Sequence, residues 1–331
     1  MDYRRLPGTG LEVSRLCLGA SNMGVGGDKP YALDEAEVDA VVGRALDVGI
    51  NFFDTAESYS SGRSEITLGR ALKASGVERQ DLVISTKVSG GGREQKRNRS
   101  GLSRKHILNA IDESLARLQV DHVDLYTIHR FDRLTPVEET LEALHEVVKS
   151  GKARYLGASS MYAWQFEHML SLQERHGWSR FVLMQNQYSL NYREEEREMV
   201  PLCLRRGIGM TPWGMLSAGL LAGDITREGE RLTPRAKDDL LRGVNGLIVS
   251  TDQDFDIQDK VRRIAEDRGV SMAEIGMAWA LSKPYVVSGL IGADKPTHVD
   301  GAVNALRLEL SPDEVAFLED GYRPVFPQTL R

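Results

Sequence analysis

The sequence predicts a (β/α)8 barrel of the TIM type, entered through an N-terminal β-hairpin and followed by an extra C-terminal helix. Three observations predict it. Eight short runs rich in Val, Ile and Leu alternate with stretches of helical period. No linker or composition shift divides the 331 residues, so the chain reads as one domain over residues 1–331, a length that a single α/β barrel fills. The segment after the first main run, Gly19-Ala20-Ser21-Asn22-Met23-Gly24, lacks the G-x-G-x-x-G fingerprint usual in an open doubly wound sheet.

The elements follow in order. Residues 3–6 and 11–13 flank Gly8-Thr9-Gly10 and read as the hairpin. Residues 15–19 form the first barrel strand, and Asp34 caps a helix with Val38, Val41, Val42, Ala45 and Leu46 inward. Strand two covers 51–54, with a helix over 65–72. Strand three covers 82–87, and Ile107, Leu108, Ile111, Leu115 and Leu118 mark one face of the next helix. Strand four covers 123–129, before a helix with Val137, Leu141, Leu144, Val147 and Val148 inward. Strands five and six cover 153–159 and 183–188, with helices over 163–175 and 194–206. Strand seven covers 208–213 and strand eight 286–292. Residues 214–251 are too many for a bare connector and predict a functional loop. Ser311 and Pro312 open the C-terminal helix. The glycine clusters at 24–27 and 90–92, and the basic run at 93–99, read as solvated loop.

Composition narrows the function. A net charge of −6 argues against a nucleic-acid or membrane-surface partner. No apolar run approaches the ~20 residues of a membrane helix, and the first residues lack a signal-peptide h-region. A cytoplasmic protein with two reduced thiols, Cys17 and Cys203, is expected.

Four reactive side chains fall at or just past the C-terminal ends of three consecutive strands, the face where barrel active sites lie. Asp54 ends strand two and Tyr59 follows it; Lys87 ends strand three; His129 ends strand four. Reducing a carbonyl needs a hydride on carbon and a proton on oxygen. A free phenol titrates near ~10 and is a reluctant donor at neutral pH, but an ammonium beside it favours the phenolate. Asp54 would hold Lys87 charged, and His129 would orient the substrate oxygen. The set offers no second His or Cys at ligand spacing, so no metal is expected. The hydride must then come from a cofactor, for which nicotinamide is the usual source.

The chain resembles the aldo-keto reductase superfamily from end to end, and its segments His129-Arg130-Phe131-Asp132 and Gly151-Lys152-Ala153-Arg154-Tyr155-Leu156-Gly157-Ala158-Ser159-Ser160 are similar to a microbial and fungal branch. The resemblance implies that Asp54, Tyr59, Lys87 and His129 form the catalytic tetrad. It implies nicotinamide stacked on Trp213, with Ser159, Ser160 and Gln185 on its carboxamide and Gly19 beside the cofactor. Leu216, Ser217, Gly219 and Leu221 match a strap over the pyrophosphate, and Gly292, Lys295 and His298 match the grip on a 2′-phosphate, favouring NADPH over NADH. The chain departs from the family pattern at Gly214-Met215, Ala218 and Asp294, and Gly301 and Ala302 replace an adenine-contacting pair. Asn22, Phe131, Asp132, Met161 and Tyr188 are candidate pocket residues for a small carbonyl substrate. The competing expectation is an NADPH-binding redox-sensing subunit with little turnover.

Overall fold

The computed structural model describes residues 1–24, 31–88, 97–237 and 251–325. Two short antiparallel strands, β1 (Tyr3–Arg5) and β2 (Glu12–Ser14), pair at the N-terminus. Eight parallel strands follow: β3 (Leu16–Gly19), β4 (Phe52–Asp54), β5 (Val83–Val88), β6 (Val123–Ile128), β7 (Ala153–Ser159), β8 (Phe181–Gln185), β9 (Gly209–Met210) and β10 (Gly289–Gly292). They pair in the order β10-β3-β4-β5-β6-β7-β8-β9. The ring closes where Met210 bridges Val286 in parallel and the Val287 N–H donates to the Met210 carbonyl at 2.8 Å. This is the (β/α)8 barrel the sequence predicts.

The helices cover the outside. They are α1 (Glu35–Asp47), α2 (Arg63–Ala74), α3 (Arg104–Leu118), α4 (Val137–Lys149), α5 (Ala163–His176), α6 (Met199–Arg206), α7 (Asp252–Arg268), α8 (Met272–Ser282), α9 (Pro296–Arg307) and α10 (Pro312–Glu319). Asp34 caps α1 through a reciprocal bond pair with Glu37, and Ser311 caps α10 the same way with Glu314. The expected helix over 194–206 is split, because Pro201 suits only a first helical turn; α6 starts at Met199, after a separate turn at Glu194–Glu196.

Strand alternation divides the core in two. Outward residues such as Leu18, Phe53, Ile84, Tyr126 and Met184 pack under the helices. Inward residues Cys17, Phe52, Val83, Leu125, Leu183 and Val287 fill the barrel with Leu6 and Val13 of the hairpin, which therefore plugs one end. Arg15, buried at that end, donates to the carbonyls of Val286 (2.6 Å), Val287 and Leu281. Two or four steps further along the strands, the same parity aims Asp54, Lys87, Ser159 and Gln185 at the opposite end.

Strands six and seven end earlier than expected. Beyond β8 and β9 the chains stay joined by single contacts: the Trp213 N–H donates to the Asn186 carbonyl at 3.0 Å, and Gln187 bridges Trp213. Pro212 has no N–H to continue a regular ladder. Cys17 and Cys203 are buried free thiols. Among the described residues no helix is long and apolar enough to cross a membrane. The glycines at 26–27 and 90–92, part of the basic run, and residues 238–250 of the long loop lie outside the described residues.

Candidate active site

Asp54 and Lys87 meet at the C-terminal mouth of the barrel, both with fully buried side chains. The ammonium of Lys87 uses its three donors on the Asp54 carboxylate, on the Thr55 carbonyl at 2.8 Å, and on the Tyr59 hydroxyl at 3.4 Å. Gln185 Nε2 donates to the other Asp54 oxygen at 3.2 Å. Burial opposes the charge on Lys87, but the Asp54 carboxylate and the Tyr59 oxygen outweigh it, and the ammonium titrates above its usual range. The pair is a fixed cation aimed at a phenol.

Tyr59 owes its position to a strained turn. It opens a short 3-10 segment, Tyr59–Gly62, in which Ser60, Ser61 and Gly62 all have positive φ (47°, 56° and 87°) before α2 begins. A Cβ built on Gly24 would lie 2.0 Å from Ser60 Oγ and 2.3 Å from its Cβ, so only glycine lets the loop after β3 lie against this turn. Further left-handed residues, Ser160, Ser217 and Ala218, also fall at sites the sequence singles out or beside them.

His129 packs edge-on against the Tyr59 ring, centroids 5.5 Å apart and planes at 81°. Its Nδ1 lies 3.4 Å from Ser58 Oγ. Burial first, then the Lys87 and Arg130 cations, push its pKa well below the ordinary histidine value, so it is a neutral imidazole at neutral pH. The four tetrad residues expected from the sequence are thus brought together.

The cofactor candidates form two groups. Near the tetrad, Trp213 Nε1 donates to Ser160 Oγ at 3.2 Å, Ser159 Oγ donates to the Gln185 carbonyl at 2.6 Å, and the two serine hydroxyls are 3.0 Å apart. Gly19 stands level with Asp54 in the sheet. Asn186, which sequence reasoning missed, accepts the Ser160 N–H on Oδ1 at 2.6 Å and donates through Nδ2 to Glu195 at 2.6 Å. Glu195 is itself buried, and burial pushes its pKa up to about 7 against the Asn186 hydrogen bond.

The second group lies past β10. Lys295 caps α9, and the Asp294 N–H donates to His298 Nδ1 at 3.2 Å. Arg235, also missed, stands beside Gly292: a Cβ there would meet its Nη1 at 3.0 Å. Arg231, in the same strap, buries Nε and Nη1 without a hydrogen-bond partner among the described residues. The strap turn Ser217–Ala222 contains Gly219 at φ 98°, but Leu221 is buried and packs with Leu216 toward Gly276 of α8. Any contact Leu221 offers a cofactor therefore runs through backbone, whereas the Leu216 side chain is only partly buried. Ser217 Oγ accepts from Asn191 Nδ2 at 3.1 Å.

Two pocket candidates are engaged in hydrogen bonds within the protein. Tyr188 is fully buried, bonded to Glu196 (2.5 Å) and Tyr285 (2.6 Å) and stacked on Trp279. Asp132 ties loops together, accepting from Leu102 N (2.8 Å), Leu134 N (2.9 Å) and Thr135 Oγ1 (2.7 Å). Met161 is buried, and Phe131 packs against Trp164 with ring centroids 6.5 Å apart. Asn22 Nδ2 donates to the Ala293 carbonyl (2.9 Å) and to Asp294 (2.7 Å), while its buried Oδ1 has no partner among the described residues.

A closed barrel with a buried cation, a phenol and a neutral imidazole at its mouth defines a class of protein suited to acid–base chemistry on a polar carbon–oxygen bond. Among the described residues no three His, Cys, Asp or Glu side chains converge as a metal site requires. Residues 15–322 match the aldo/keto reductase family. The chain is 40% identical to a versiconal hemiacetal acetate reductase of Aspergillus parasiticus, over 98% of each chain. It is 39% identical to an aldo-keto reductase of Alternaria alternata, over 98% of this chain and 93% of the other. It is 37% identical to a putative aryl-alcohol dehydrogenase of Schizosaccharomyces pombe, over 98% and 96% respectively. The chain belongs to the aldo/keto reductase family, a family of nicotinamide-using oxidoreductases.

Proposed function

We propose that this enzyme reduces an aldehyde, ketone or sugar-derived carbonyl to the alcohol, reversibly, with Tyr59 as general acid and NADPH as the favoured cofactor. The observation that carries the reading is the Lys87 ammonium, fixed by Asp54 and set 3.4 Å from the Tyr59 hydroxyl. As the phenolic proton passes to the carbonyl oxygen, charge develops on the Tyr59 oxygen, and a preorganised cation in a buried site stabilises it without reorganisation. Neutral His129 is left to donate an N–H to the same carbonyl oxygen and orient it. A bound nicotinamide supplies the hydride.

The residues present fit that group. Trp213 offers a tethered indole face, and Ser159, Ser160 and Gln185 cluster beside it. The orphan donors of Arg231, with Arg235 and Lys295 near the N-terminus of α9, are the chemistry an anionic phosphate requires. These cations favour NADPH, although Gly301 and Ala302 leave adenine without polar side-chain contacts from that stretch.

The test is steady-state reduction of a panel of aldehydes and ketones with NADPH or NADH, read by loss of reduced-nicotinamide absorbance. Turnover of several carbonyls, higher with NADPH, is the expected result. Tight NADPH binding with negligible turnover across the panel would instead establish a regulatory cofactor-binding subunit.

A further inference from the structure

Arg130 directly follows His129 past the end of β6, and the tetrad does not use it. Its guanidinium carbon lies 6.0 Å from the centroid of the Trp213 ring. Among the described residues it makes one hydrogen bond, a 3.3 Å contact from Nη1 to the His129 carbonyl, and it has no carboxylate within ion-pairing distance. A guanidinium carries five N–H donors, so most are left to spend. Partly buried arginines normally sit on a carboxylate, because desolvating an unpaired charge is costly. The carboxylates nearby are engaged elsewhere: Asp54 by Lys87, Glu57 by its 3.1 Å contact to His106, and Asp132 by three loop donors. With His129 neutral, Arg130 stands beside the tetrad as a cation with no carboxylate on it among the described residues.

The position argues against a cofactor phosphate as its partner. In the order β10-β3-β4-β5-β6-β7-β8-β9, strands β6 and β10 stand opposite each other across the ring. Arg235 and Lys295 gather by β10, whereas Arg130 springs from the end of β6 beside His129 and extends to the Trp213 ring within the mouth. On the reading above, that is the part of the mouth where the carbonyl compound would react.

We propose that Arg130 is a specificity residue that recognises a carboxylate on the substrate, so that the favoured substrates are carbonyl compounds bearing an acidic group. This rests on the carbonyl-reducing reading above. A guanidinium held on an indole by cation–π attraction can swing to a carboxylate and bind it through two parallel hydrogen bonds.

The experiment compares kcat/KM for 3- and 4-carboxybenzaldehyde with that for 4-methylbenzaldehyde, in the wild type, Arg130→Gln and Arg130→Lys. The expected wild-type preference for one of the acids is ~10- to 100-fold, the scale of a charged hydrogen-bonded pair. That ratio collapses toward one in Arg130→Gln, mainly through KM, and partly returns in Arg130→Lys. A wild-type ratio near one, or the same ratio in Arg130→Gln, overturns the proposal. Binding of 4-(hydroxymethyl)benzoate and 4-methylbenzyl alcohol, followed by tryptophan fluorescence with NADP+ present, separates this from the reading beneath it. If no carbonyl is reduced, Arg130-dependent binding of the benzoate still upholds the anion site, and binding that is absent or indifferent to Arg130 removes it.

Discussion

The Lys87 ammonium lies 3.4 Å from the Tyr59 hydroxyl and 4.9 Å from the centroid of the same ring. One cation thus serves the phenol oxygen while Asp54 holds it from behind. Lys87→Met is expected to lower kcat for carbonyl reduction by ~100-fold or more. It also strands a buried carboxylate, at a stability cost of about 3–5 kcal/mol. The double variant Lys87→Met/Asp54→Asn should recover most of that stability by chemical denaturation but none of the rate. Recovery of rate along with stability would show that Lys87 acts only on the fold.

Gly24 and Ser60 form a second dependence. Because a Cβ at Gly24 would strike both Oγ and Cβ of Ser60, rotation of the serine cannot relieve Gly24→Ala. The turn carrying Tyr59 has to move. Displacements near 1 Å at a reacting group cost up to ~100-fold in rate. Gly24→Ala should therefore reduce kcat far more than it reduces NADPH affinity, measured by fluorescence titration; equal losses would mean the cofactor site has collapsed instead.

Arg235 beside Gly292 is expected to act on the cofactor's phosphate end. Arg235→Ala should weaken NADPH binding by ~10-fold or more while changing NADH much less, as loss of a charge-assisted contact would. Parallel titrations measure it, and equal weakening of both cofactors would remove Arg235 from that role.

Glu195 sets a pH dependence. Its folded pKa of about 7 lies above the ordinary 4.5, so the folded state holds the proton more tightly than the unfolded chain. Stability from this group is then greatest below 4.5, falls as pH rises from 4.5 to about 7, and stays level beyond. The full difference is about 3 kcal/mol. Glu195→Gln keeps an acceptor for Asn186 and should be the more stable protein at about pH 8, with little gain at about pH 4. Denaturation at the two pH values decides it; a gain equal at both would place the effect in packing.

Much of this site is legible in the sequence because strand alternation does the work. Asp54, Lys87 and His129 each end a run whose apolar residues fix which parity faces inward, and Tyr59 follows within one turn. Other features depend on packing that no local pattern carries. Helix α8 is buried along most of its length, so Met272–Ser282 shows no polar face to mark its period. Glu195 is the middle of three consecutive glutamates at the start of the helix expected over 194–206, and nothing in that run marks it as the one whose side chain turns inward to Asn186. Tyr188 looks like a pocket residue until its hydroxyl is found on Glu196 and Tyr285. Arg130 is plain in the sequence, but its want of a carboxylate is a fact about space.

The central claim is that the Tyr59 proton reaches the substrate oxygen. Its most direct test is Tyr59→Phe, assayed for reduction of 4-nitrobenzaldehyde, with NADPH affinity measured in parallel by tryptophan fluorescence. The expected result is a rate at least ~100-fold lower with cofactor affinity intact. A variant that turns over at the wild-type rate would contradict it.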